Sequence, residues 1–166
     1  MNITLPEHFH PQSRVWIYQS DRTLNENEVN DIKIALNNFI QSWKSHGDQV
    51  KGYSNVYFDM FIVLMADESS VSVGGCSTDS SVRLIKEIEK KFNLNLFNRE
   101  LLTFHTNEKL IQVPLSQIEK SLEENIITGE SLYFNNTILS KIDFETNWII
   151  SLKNSWLSRF LKKSIV

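Results

Sequence analysis

The order of patterned segments predicts an α+β fold: one domain with a mainly antiparallel sheet, helices packed on one face, and a C-terminal helix. Three observations carry this. Two long segments repeat apolar residues every three or four positions, as helices with a single buried stripe do. Pairs of β-branched and aromatic runs are joined by too few residues for a crossover, so they read as hairpins. The order is β-α-β-β-α-β-β-α, then an irregular tail and a final helix, which mixes hairpins with helices instead of alternating strand and helix. A ferredoxin-like variant fits this order.

Residues 14–20 read as the first strand. Val15 and Ile17 alternate with Trp16 and Tyr18, so both faces are bulky and a central strand is expected. The clearest helix follows, with Val29, Ile32, Leu36, Phe39, Ile40 and Trp43 on one stripe. Thr23 and Glu26 have capping-box spacing, and Gly47 suits a left-handed terminus. Residues 50–57 and 60–67 form a predicted hairpin turning near Asp59, and the run Phe61, Ile62, Val63, Leu64, Met65 is apolar on both faces.

A second helix is predicted over 79–92. Val82, Ile85, Ile88 and Phe92 face the core, and Arg83, Lys86, Glu87, Lys90 and Lys91 face water. Ser77 or Thr78 would cap it, with Asp79 in its first turn. Residues 101–105 and 109–113 read as another hairpin. Ser116 and Glu119 have capping-box spacing for a short helix to about residue 125. Residues 132–134 read as a short strand, 140–147 as either helical turn or strand, and 153–163 as an amphipathic helix carrying Trp156 and Phe160. Residues 1–13 are an N-terminal extension and 135–166 a tail packed on the body. Residues 67–81, rich in Ser and Gly, form a functional or flexible loop.

The charge balance is −3, which gives no broad attraction to nucleic acid or an anionic membrane. The one basic cluster, Lys153, Arg159, Lys162 and Lys163, answers a helix dipole. The single cysteine, Cys76, excludes an intrachain disulfide and favours a reducing compartment. The first residues carry no basic or apolar signal region, and the apolar run 60–66 is far short of the ~20 residues a membrane helix needs. A cytoplasmic protein is expected.

No P-loop, dinucleotide fingerprint, zinc or calcium motif occurs, so no cofactor and no metal is expected. His8 and His10, two apart in an extended terminus, could chelate only weakly. Chemistry concentrates in Gly74-Gly75-Cys76-Ser77-Thr78-Asp79-Ser80-Ser81. Glycines let a backbone approach a ligand, and free amides with Ser and Thr hydroxyls at a helix start suit an anion. Gly75, Cys76, Ser77 and Thr78 are therefore candidate ligand-binding residues, with Arg99 as a further anion contact. Asp79 weighs against an anion by repulsion. A cysteine at a helix start can hold a lowered pKa, which makes Cys76 a candidate nucleophile, with His46 or His105 as base and Asp79 to orient one of them. The plainer reading is a structural cap beside a small buried thiol. Trp16, Phe39 and Trp43 read as core, and Trp148 and Trp156 as pins for the last helix.

Taken together, Arg14-Val15-Trp16-Ile17-Tyr18-Gln19, Trp43 with His46-Gly47, Gly75-Cys76-Ser77 with Asp79, Leu96-Phe97 with Arg99, Phe134-Asn135-Asn136, and Ser155-Trp156 with Arg159-Phe160 resemble an uncharacterised family of short bacterial proteins. Its members are commonly labelled "ABC transporter ATPase". The resemblance covers nearly the whole chain and implies no established activity. The label implies a P-loop with its lysine, which this sequence lacks, so ATPase activity is not expected.

The leading expectation is a non-enzymatic binding or interaction domain, with a small-molecule or protein site near residues 67–81. One alternative is a cysteine-dependent enzyme or redox-sensitive protein using Cys76. Another is a structural homodimer built on Trp156 and Phe160. Neither nucleic acid nor membrane is an expected partner, and a monomer or a homodimer is the expected state.

Overall fold

A computed structural model describes residues 3–163. They form an α+β arrangement of antiparallel sheets and helices, grouped into two compact units. The first runs to Phe97 and takes in Leu139–Ile142; the second comprises Asn98–Ile138 and resumes at Asp143.

The first unit contains β1 (Arg14–Gln19), α1 (Glu26–Ser42), the short strands β2 (Lys44–Ser45) and β3 (Asp48–Gln49), β4 (Lys51–Tyr57), β5 (Phe61–Asp67) and α2 (Gly75–Phe92). The main sheet has the order β1-β5-β4, each neighbour antiparallel. β1 and β4 thus run parallel, with β5 inserted between them, which is the split β-α-β pattern of ferredoxin-like folds. β5 takes the centre and all its residues are buried. β1 lies at the sheet's edge, contrary to the expectation from its two bulky faces. Apolar faces report what lies above and below a strand, not how many neighbours it pairs with. On the outer side of β1, Val15 N–H donates to the Leu139 carbonyl at 3.0 Å and Arg14 forms a bridge with Ser140.

α1 begins at Glu26 because Asn25 caps it. Asn25 Oδ1 accepts from Glu28 N–H at 3.0 Å, and Glu28 Oε2 accepts from Asn25 N–H at 2.9 Å. The capping box is therefore Asn25 with Glu28, not Thr23 with Glu26. Both pairs have the required spacing; the choice falls to Leu24, which is buried and donates its N–H to the Asp59 carbonyl at 2.8 Å. At the other end, Trp43 takes extended backbone and stops the helix before Gly47 is reached. Gly47 (φ 93°) and His46 (φ 52°) instead turn the β2–β3 hairpin.

α2 begins at Gly75, four residues earlier than predicted, and ends at Asn93 in the left-handed conformation. Its Ile85 and Ile88 meet Val29, Ile32 and Leu36 of α1 over Tyr18, Val56, Ile62 and Leu64 of the sheet. Each such fully buried side chain stabilises by about 1.5–3 kcal/mol relative to exposure. The helices of this unit share one face of its sheet, as predicted.

The second unit contains β6 (Leu101–Thr106), β7 (Lys109–Pro114), α3 (Ile118–Glu123), β8 (Leu132–Phe134), α4 (Lys141–Asn147, its first residues grouped with the first unit) and β9 (Ile149–Ser151). The sheet order is β7-β6-β8-β9, all antiparallel. The β6–β7 hairpin turns on Asn107 (φ 48°) and Glu108 (φ 62°), close to the predicted position. A 3₁₀ turn, Leu115–Gln117, precedes α3, and neither Pro114 nor Gln117 caps with its side chain, so the predicted Ser116–Glu119 box is not the start of this helix. Residues 141–147 resolve as helix.

The final segment is 3₁₀, Leu152–Asn154 and Trp156–Lys163, not the α-helix the amphipathic pattern suggested. Ser158 N–H closes on the Ser155 carbonyl at 3.1 Å, and Ser155 Oγ takes Leu157 N–H at 3.1 Å, which holds the turns tight. Trp148 is fully buried; it stacks on Phe144 at 4.3 Å and donates Nε1–H to Asn136 at 3.0 Å. It therefore pins α4, while Trp156 anchors the last segment by donating to Tyr133 Oη at 3.3 Å.

Candidate functional site

The segment singled out by sequence sits at the start of α2, built by three neighbouring elements of the first unit. Val73 is buried, and its N–H is held by Glu68 Oε1 at 2.7 Å, which fixes the loop before the helix. Gly74 is the N-cap residue, extended at φ −77° and ψ −179°, with no side chain to cap the amides that follow. Its own N–H goes to Ser45 Oγ at 3.3 Å. The first bond of the helical ladder is Thr78 N–H to the Gly74 carbonyl at 3.0 Å, so the amides of Gly75, Cys76 and Ser77 lie ahead of the ladder.

The early start changes the chemistry of this end. Ser77 and Thr78 are inside the helix and do not cap it. Ser77 is buried, with Oγ donating to the Lys44 carbonyl at 2.9 Å and its carbonyl accepting from Trp43 Nε1 at 3.0 Å. Thr78 Oγ1 donates back to the Gly74 carbonyl at 3.1 Å. Both hydroxyls are therefore committed to structure. Asp79 falls beyond the first turn, which contains no acidic residue. Cys76 is exposed, which corrects the reading of a small buried thiol. Gly75 is open: a side chain there would meet none of the described residues within 4 Å.

His46 is brought to this place by the β2–β3 hairpin. A Cβ built on Gly74 would lie 3.1 Å from His46 Nε2. Of the two candidate bases, His46 thus adjoins the Cys76 segment within the first unit. His105 is half-buried on β6, paired with Leu110 and Leu132, and belongs to the second unit. Arg99 is exposed, just before β6, also in the second unit.

At the start of the same loop lies a group that the sequence reading passed over. Asp67 is 2% exposed at the end of β5. Its Oδ2 accepts from Lys51 Nζ at 2.6 Å and from His10 N–H at 3.3 Å, and its Oδ1 accepts from Ser69 N–H at 3.1 Å and from the Ser69 hydroxyl. Burial pushes its carboxyl up, but these donors together outweigh burial and hold it well below the usual carboxylate range. A cleft of about 250 Å³ opens beside it, lined by His10, Gln12, Ser13, Asp67, Glu68 and Ser69. The only advance signal was an acid closing an otherwise apolar strand; Lys51 could be paired with it only once the hairpin register was fixed.

His8 and His10 lie on the N-terminal segment, both exposed. Among the described residues no group of three or more His, Cys, Asp and Glu could hold a metal ion, and no helix is long and apolar enough to cross a membrane. Of the basic cluster, Lys153 pairs with Glu130 at 2.7 Å, and Arg159 lies over the rings of Trp156 and Phe160 at 4.8 and 4.9 Å. The side chains of Lys162 and Lys163 lie outside the described residues. No protein-family model, curated protein or solved structure matches the chain.

Proposed function

We propose that this protein is a non-enzymatic, cytoplasmic binding or interaction domain whose site is the 67–81 loop and the first turn of α2. One observation carries the reading. The helix starts on two glycines with no side-chain cap and no acid in its first turn, and its leading residues Gly75 and Cys76 are exposed. Amides in that position, at the positive end of a helix dipole, suit an anionic group. The ligand class is a small molecule or partner side chain bearing a carboxylate or phosphate, with the His46 ring close enough to Gly74 to form one wall.

Inorganic phosphate titrated at constant ionic strength tests this by amide chemical shifts. Saturable shifts at Gly75 and Cys76 are expected. Gly75→Pro deletes the leading amide, at a first-turn position where proline is well accepted, after a Gly74 already extended. That variant should keep its helix and weaken the response at least ~tenfold, since a charge-assisted bond contributes about 1.5–3 kcal/mol. Shifts that stay linear in phosphate, or persist unchanged in Gly75→Pro, rule the site out.

The exposure of Cys76 favours a second reading, a reactive thiol at the same helix end. The rate of alkylation against pH separates it from the first. A midpoint well below the free-thiol value of roughly 8.5 supports thiolate chemistry. A midpoint at that value leaves Cys76 as a bystander of the binding site.

A further inference from the structure

The face of the first sheet opposite its helices is covered in an unusual way. On β4, Gly52 and Val56 point to the helices, so Lys51, Tyr53, Asn55 and Tyr57 point away. Across these side chains lies the N-terminal arm, residues 3–13. It forms no strand with β4; the sheet's side chains grip the arm's backbone instead.

The grip is built mainly on main-chain groups of the arm. Tyr57 Oη donates to the Thr4 carbonyl at 2.9 Å, with Tyr53 Oη 2.9 Å from Tyr57 Oη and Asn55 Nδ2 donating to Tyr53 Oη at 3.3 Å. Lys51 Nζ donates to the His8 carbonyl at 3.0 Å, and Lys141 Nζ to the Phe9 carbonyl at 3.3 Å. Asp67 takes the His10 N–H at 3.3 Å. Of the arm's side chains, Phe9 is the buried apolar one, 5% exposed, edge-on to Tyr53 and under Lys51 Nζ at 4.9 Å from its ring centroid, with Ile3, Leu5 and Pro6 half-buried and Ser13 buried at the arm's end. Every peptide offers the same carbonyls and amide. The arm's own sequence contributes one aromatic anchor.

We propose that this face is a groove for an extended peptide segment of a partner protein carrying a phenylalanine or similar aromatic residue, and that the N-terminal arm occupies it as a tethered competitor. Backbone recognition with a single side-chain pocket is how extended peptides are bound with loose sequence demands. The groups that read the backbone belong to the sheet and to Lys141, and they keep their places whichever chain supplies the carbonyls. Burial, then the bond with Tyr53, holds the Tyr57 phenol above its usual range, so it stays a donor at any biological pH. The tether gives the arm a high effective concentration, so a free peptide binds the native protein weakly and binds well once the arm is loosened.

The test uses the full chain and a fluorescent synthetic peptide of residues 1–12. Phe9→Ala loosens the arm by its anchor, and His10→Pro loosens it by deleting the N–H that donates to Asp67 and the ring nitrogen that accepts Gln12 N–H. Either variant, shown to be folded by its melting curve, should bind the peptide saturably and at least ~tenfold tighter than the wild-type chain. The same peptide with its phenylalanine changed to alanine should lose most of that affinity. Equal binding by wild type and variants, no binding by a folded variant, or indifference to the anchor each overturns the proposal. Hydrogen exchange of the wild type needs no variant. The His10 amide should exchange at least ~100-fold faster than amides of central β5, showing that the arm opens without global unfolding. Exchange of both at one rate overturns the proposal, as does a wild-type dimer formed by exchanging arms, which would make a second copy the occupant.

Discussion

The indole Nε1 of Trp43 donates to the Ser77 carbonyl over 3.0 Å, tying the residue that ends α1 to the first turn of α2. Both partners are buried, and Ser77 also holds the Lys44 carbonyl through its hydroxyl. The candidate site therefore rests on a short chain of buried polar contacts running from one helix end to the other. Trp43→Phe keeps most of the apolar contact and removes the donor. It leaves a buried carbonyl unpaired and should cost about 1–3 kcal/mol by urea denaturation. Alkylation of Cys76 should quicken at the same time, since the first turn loses its anchor. An unchanged midpoint would mean that water replaces the indole without loss.

Arg22 and Glu28 form a two-pronged ion pair, at 2.7 and 2.8 Å, and the same guanidinium reaches the Phe92 carbonyl at the C-terminus of α2. The bond from Arg22, then that from the Asn25 amide, holds the Glu28 carboxyl down at about 2, from an ordinary value of 4.5. A carboxyl depressed in the folded state contributes stability that is complete above the unfolded value and is lost as pH falls towards the folded value. Unfolding midpoints measured near about pH 6 and about pH 3 should drop for the wild type. Glu28→Gln should start lower and drop less. Asp67, depressed further, keeps part of the slope in both proteins. Parallel profiles for wild type and Glu28→Gln would contradict the ion pair's role.

Glu108 holds a left-handed conformation, φ 62°, that suits glycine, in a two-residue hairpin turn whose preceding residue is already Asn107. Glu108→Gly completes the favoured Asn-Gly pair. It should raise stability by about 0.5–1 kcal/mol, read as a higher melting temperature. A lower melting temperature would show that the flexibility glycine brings to the unfolded chain outweighs the relief of strain.

Ser13 is 1% exposed, and its Oγ has no hydrogen-bond partner among the described residues. A buried hydroxyl without a partner is a cost, so removing it should not harm the fold. Ser13→Ala is expected to be neutral or stabilising by up to ~1 kcal/mol. A clear loss of stability would point to a bound water that the hydroxyl holds.

Gly52 and Gly75 make a contrasting pair. A Cβ on Gly52 would lie 2.9 Å from Ile40 Cδ1 and 3.1 Å from the Trp43 ring, whereas one on Gly75 meets none of the described residues within 4 Å. Gly52→Ala should cost about 1–3 kcal/mol through overpacking, and Gly75→Ala should stay within ~0.5 kcal/mol, both measured by denaturant midpoint. If Gly52→Ala is silent, the Ile40 tip and the indole have room to move that their burial does not suggest.

Periodicity determined the two long helices and the strands of the main sheet, while it left residues 141–147 open and read the 3₁₀ tail as an α-helix. Val29, Ile32 and Leu36 recur every three or four residues, and only a helix puts them on one side; the run Phe61 to Met65 needs cover on both sides, and only a buried strand provides it. The two predicted hairpins were legible because gaps as short as Phe58-Asp59-Met60 and Asn107-Glu108 leave no room for a crossover. What sequence left open was every choice between locally equivalent partners. Asn25 with Glu28 prevailed over Thr23 with Glu26 because Leu24 had to be buried outside the helix. α2 extended back to Gly75 because Ser77, a plausible cap by composition, was needed by Trp43 and Lys44, residues far away in the chain. That shift moved Asp79 out of the first turn and left Cys76 exposed, so the character of the candidate site was decided by tertiary contacts. The Asp67 cluster and the arm's grip on the sheet are of the same kind. Lys51, Asp67 and His10 lie far apart in sequence, and only the β4–β5 register and the path of the N-terminal arm set their atoms within hydrogen-bond reach.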